Sequence, residues 1–157
     1  MDRRLNMEAF KSKLYQRCMD FVLQRIDTAE TALRQAQEAS NDDTKSSAGD
    51  KFETTREMMQ QDIARNKNLL FDGQQNLQLL SSLKGLASSG DTVRNGSLVY
   101  TSKGIFYISI SAGQLNVEDQ HVFAISAASP IGQLLIGRKA GESFSFNQND
   151  YTVQEIL

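Results

Sequence analysis

NMEAFKSKLYQRCMDFVLQRIDTAETALRQAQEA, residues 6–39, decides the architecture. Its apolar positions are Phe10, Leu14, Cys18, Phe21 or Val22, Ile26, Ala29, Leu33 and Ala36. They recur every three or four residues along the whole stretch, while charged and amide side chains fill the rest. That spacing predicts one long helix with a single apolar stripe. No Pro interrupts it.

A second stretch, 52–86, repeats the pattern with Phe52, Met59, Ile63, Leu70, Leu77, Leu80 and Leu83. The seven-residue intervals from Ile63 to Leu70 to Leu77 mark a seam rather than a broad core face. Each helix would be on the order of 50 Å long at about 1.5 Å per residue. Two narrow stripes are buried when the helices zip against each other, and the short connector predicts an antiparallel coiled-coil hairpin. The connector, 40–50, is small, polar and acidic, with Asn41, Asp42, Asp43, Ser46 and Asp50 suited to turns and caps. It forms the tip of the hairpin, about 40–51.

Composition changes near residue 88. Residues 1–88 carry 13 Lys/Arg and 13 Asp/Glu, whereas 89–157 carry 4 and 6 with seven of the twelve aromatics. The second part reads as strands at 97–101, 105–110, 121–126, 143–146 and 151–156, the last two joined by a turn at 147–150. Ser129 followed by Pro130, with Gly137 beyond Ile136, marks a helix of about two turns. The expectation is an α+β protein of two domains. A helical hairpin over 1–88 precedes a small, largely antiparallel sheet with one short helix over 89–157.

The remaining composition excludes several chemistries. A single cysteine, Cys18, leaves no internal disulfide and no cysteine-rich zinc site. A single histidine, His121, excludes mechanisms needing two imidazoles. No phosphate-binding GxxxxGK[ST], CxxC or GxSxG pattern occurs. The chain is not expected to be an enzyme by itself. A formal net charge of −2 generates no strong field toward nucleic acid or anionic membrane. No signal-like or membrane-spanning apolar run is present, and the expected compartment is the cytoplasm.

The segment Ser129-Pro130-Ile131-Gly132-Gln133-Leu134-Leu135-Ile136-Gly137-Arg138-Lys139-Ala140-Gly141-Glu142 resembles a signature of the bacterial Gre transcript-cleavage factors. Lys51-Phe52-Glu53-Thr54-Thr55-Arg56-Glu57 is similar to the start of that family's second helix. Domain order, helix lengths and total length agree as well. The resemblance implies an FKBP-like carboxyl-terminal domain and a coiled coil that enters the secondary channel of RNA polymerase. It implies RNA polymerase as partner, indirect contact with the 3′ end of nascent RNA, and no membrane or small-molecule substrate.

The resemblance also assigns roles. Asp43-Thr44-Lys45-Ser46-Ser47-Ala48 is similar to the family tip, in which two acidic residues help hold a second Mg²⁺ at the polymerase centre. Asp43 matches the first carboxylate, while Ser46 stands at the second; Asp42 or Asp50 is the candidate replacement. The catalytic candidates, all assisting the polymerase, are thus Asp42, Asp43 and Asp50. Asp43 and Asp50 would be ligands of a shared Mg²⁺ that the chain does not bind alone. Such an ion takes oxygen ligands and clamps attacking and leaving oxygens of an in-line displacement. Arg56 matches a residue implicated in RNA contact, and Ser129, Pro130, Ile131 and Gly132 are candidates for polymerase docking. The plainer readings are a solubilising turn, a surface arginine and an N-capped helix packed on a sheet. Competing functions are a non-cleaving regulator of the same channel, an FKBP-like prolyl isomerase or chaperone, and a helical scaffold.

Overall fold

The structure is a computed structural model that describes residues 2–44, 49–84 and 90–157. It is α+β. Two long helices, α1 (Asp2–Thr44) and α2 (Gly49–Leu83), pack together. Strands β1 (Leu98–Thr101), β2 (Gly104–Ile108), β3 (Gly113–Val117) and β4 (Gln120–Ile125) follow, then α3 (Pro130–Leu135), β5 (Ser143–Phe146) and β6 (Asn149–Ile156).

The helices run further than the sequence predicts. Residues 40–44 belong to α1 and Gly49 and Asp50 to α2, so much of the expected 40–50 connector is helical. Asn, Asp and Ser lower helix propensity by only a few tenths of a kcal/mol each, which an established helix tolerates. Among the described side chains the predicted stripe is otherwise the buried one; that of Phe52 lies outside them. Phe10, Leu14, Cys18, Val22 and Ala29 are buried in α1, with Ile26, Leu33 and Ala36 half-buried. In α2 the stripe runs through Met59, Ile63, Leu70, Leu77, Leu80 and Leu83 but includes two residues that hydrophobicity does not reveal, Asn66 and Gly73. Asn66 donates from Nδ2 to the Asp62 carbonyl at 2.9 Å. At Gly73 an added Cβ would lie 2.8 Å from Ile26 Cγ1, so the missing side chain is what lets the two backbones approach.

The sheet has six strands in the order β3-β4-β2-β1-β6-β5, antiparallel throughout except for the parallel β2–β4 pair. The sequence reading lacks β3. It has only two apolar residues, Leu115 and Val117, starts at Gly113 and lies exposed at the sheet edge. The β3–β4 and β5–β6 hairpins turn through Glu118-Asp119 and Asn147-Gln148, all four at positive φ (52, 63, 49 and 65°). Paired positive φ values match the right-handed twist of the flanking strands.

Contacts divide the chain into two units, and the division differs from the composition break at residue 88. One unit is Met1–Asp20 with Gln78–Leu157; the other is Phe21–Leu77. Composition registers where helix gives way to strand, whereas packing registers which helix residues cover the sheet. Within the first unit both sheet faces are buried. Val99, Phe106, Ile108, Phe144 and Val153 form one core with Val93 and Leu135, covered by Ile131 and Leu134 of α3. The opposite face carries Leu98, Tyr107, Val122 and Ala124, all buried. There Cys18 Sγ lies 3.6 Å from Ser109 Oγ, and Lys11 Nζ donates to the Leu157 carbonyl at 3.1 Å. Each fully buried large apolar side chain contributes about 1.5–3 kcal/mol, so both faces matter. The exposed Arg3–Glu155 and Lys13–Glu118 ion pairs add at most about 1 kcal/mol each.

Candidate functional site

Two places in the fold carry the candidate residues. The first is where α1 ends and α2 begins. Asp42 and Asp43 lie in the last turn of α1, and Asp50 lies in the first turn of α2. Ser46 falls at 45–48, outside the described residues, and the side chains of Asp42, Asp43 and Asp50 do as well. Arg56 follows on α2 and is exposed.

The second place is α3. Ser129 Oγ accepts from the Gly132 amide at 3.1 Å and donates to the Ser126 carbonyl at 2.7 Å. One hydroxyl thus ties the helix start to the strand-end loop before it. Pro130 occupies the first helical turn, where its missing N–H costs nothing. Gly132 is buried, and a Cβ there would sit 2.1 Å from the Ser126 carbonyl oxygen. Ser129 and Gly132 are therefore explained by local folding. Ile131 packs on the sheet core, and Pro130 is the exposed member of the four.

Sequence reasoning missed the exposed apolar residues on this side. Phe123 and Ile136 are each 39% exposed. Phe123 contacts Phe106 with ring centroids 5.8 Å apart, which places it on the α3 face of the sheet. Tyr151 stacks flat on Phe144 at 5.2 Å, and the Arg138 guanidinium sits 5.3 Å from the Phe144 ring. The alternation of Val122, Phe123 and Ala124 held the signal: one side chain of that strand had to face opposite to its neighbours.

Two deeply placed groups have shifted titration. Burial pushes the Tyr107 hydroxyl well above the ordinary tyrosine range, reinforced by nearby Cys18 and Tyr15. Burial also raises the Cys18 thiol, opposed by its hydrogen bond with Ser109. Both favour the neutral form, so Cys18 is suited to packing rather than to nucleophilic chemistry. Among the described residues no three His, Cys, Asp or Glu side chains converge to hold a metal ion. Among them, too, no helix is long and apolar enough to cross a membrane. No family model and no curated protein matches the chain.

Proposed function

We propose that the chain is a Gre-like transcription elongation factor. On this reading α1 and α2 form an antiparallel coiled-coil hairpin and the sheet with α3 forms an FKBP-like domain. The grouping of the start of α1 with the end of α2 supports the antiparallel hairpin. The hairpin enters the secondary channel of bacterial RNA polymerase, and the carboxyl-terminal domain docks through the α3 side, with Pro130 as its exposed contact.

The observation that carries the reading is one combination. Two helices of 43 and 35 residues carry Asp42 and Asp43 where the first ends and Asp50 where the second begins, and the same chain continues into a sheet whose short helix starts Ser129-Pro130-Ile131-Gly132. A thin helical pair reaches into a pore that a globular domain cannot enter.

Asp43 and Asp50 would hold a Mg²⁺ jointly with the polymerase, which supplies the remaining ligands; the ion's part is to activate water and stabilise the leaving oxygen. This chain's own residues deliver negative oxygens, orient the tip and, at Arg56, offer a cation to the RNA backbone. Cleavage is the polymerase's reaction, stimulated rather than performed by the chain.

The test is transcript cleavage on backtracked complexes of the cognate polymerase. The wild-type chain accelerates cleavage; Asp43→Ala and Asp50→Ala reduce it roughly tenfold or more, in line with the loss of a metal ligand, while leaving polymerase binding intact. Cleavage by the wild type that both variants match overturns the tip assignment. Binding without any cleavage, unchanged by Ser46→Glu, supports the non-cleaving regulator instead. Failure to bind polymerase overturns the proposal.

A further inference from the structure

Within the unit formed by Phe21–Leu77, a groove of about 270 Å³ runs between α1 and α2. Phe21, Val22 and Ala29 line one wall and Leu69 the other; Leu69 remains 46% exposed. Arg25 on α1 and Asp72 on α2 stand on opposite walls. The Arg25 guanidinium lies 4.7 Å from the Phe21 ring centroid and makes no ion pair among the described residues. Asp72 has none either, although both charges border the same groove.

Position along the helices relates these two charges. Ile26 meets Gly73 directly, so the two lie at one level of the pair. Arg25 and Asp72 each precede one of them by one residue. They are therefore within about 3 Å of each other along the groove, at about 1.5 Å rise per residue. A groove floored by Val22, Ala29, Gly73 and the backbone-bonded Asn66, with one cation on one wall and one anion level with it on the other, is self-complementary under a two-fold axis along the groove. That operation lays α1 of each copy over α2 of the other and sets Arg25 of each copy against the other's Asp72.

We infer that this groove is a self-association surface, where a second copy of the chain docks isologously to build a four-helix arrangement. Two ion pairs form per contact at the groove's rim, and the exposed Leu69 of each copy is covered. Such packing at a shallow crossing is an established solution for paired helices with apolar side faces. The assignment does not depend on the polymerase reading.

The experiment is sedimentation equilibrium of the full chain with Arg25→Asp and Asp72→Arg, alone and mixed. The wild type reversibly dimerises. Each single variant places like charges opposite each other at both pairs and weakens self-association roughly tenfold or more. An equimolar mixture of the two variants recovers the dimer, because each copy then supplies the charge that the other lacks. Circular dichroism of each variant establishes that the helices are retained; both positions lie at the groove's rim rather than in the packed seam. A wild type that stays monomeric to its solubility limit overturns the inference. So does a wild-type dimer that the single variants leave intact, or one that the mixture fails to restore.

Discussion

Tyr107 shows how one residue links burial to pH. Its ring is 2% exposed beneath the first half of α1, and its hydroxyl is held neutral by that burial. A group whose pKa is raised on folding contributes stability that is complete below its unfolded value. The contribution is lost as pH climbs from about 10, the ordinary tyrosine value, toward the raised one. In that window the unfolded chain releases its proton and the folded chain does not. Stability to denaturant is therefore expected to fall above about pH 10, at up to about 1.4 kcal/mol per pH unit for one group. Tyr107→Phe removes that share of the slope, which urea titrations across the alkaline range measure. An unchanged slope in the variant would show that the hydroxyl ionises freely in the folded chain. The same scale explains why Ser129 and Pro130 were legible as a helix start from sequence. Capping chemistry is local, and a hydroxyl three residues before an amide is enough to define it.

At the scale of elements, the seam between α1 and α2 was legible only where its residues are apolar. Asn66 and Gly73 occupy it for reasons of fit, one satisfied by its own helix backbone and the other by leaving space for Ile26. Gly73→Ala sets two effects against each other. Helix propensity gains about 1 kcal/mol, while overpacking against Ile26 costs about 1–3 kcal/mol. Gly73→Ala is expected to destabilise the wild type and to stabilise an Ile26→Ala background by about 1 kcal/mol. A double-mutant cycle by thermal or urea unfolding checks this, and additivity of the two substitutions would place Ile26 elsewhere than over Gly73. Strand β3 was illegible for a different reason. An edge strand with one exposed face needs few apolar residues, and its partner in β4, not its own sequence, holds it in place.

For the whole molecule, the sheet borrows its second hydrophobic cover from residues far away in sequence. A fragment spanning 89–157 retains every strand and α3 but exposes the face of Leu98, Tyr107, Val122 and Ala124. It is expected to associate or to lose cooperative unfolding. Equilibrium denaturation and light scattering decide this, and a monomeric fragment that unfolds in one sharp transition would show that α3 alone suffices. By itself the sequence determined two long helices, most of their buried stripe, the composition break, five of six strands and the capped short helix. Those features are set by periodicity and by hydrogen bonds a few residues apart. Only the tertiary structure decided that the start of α1 belongs with the sheet, that β2 and β4 run parallel, and that Arg25 and Asp72 share one level of a groove. These arise from contacts between distant residues, where close packing and the reach of the chain select among arrangements that local preference leaves equal.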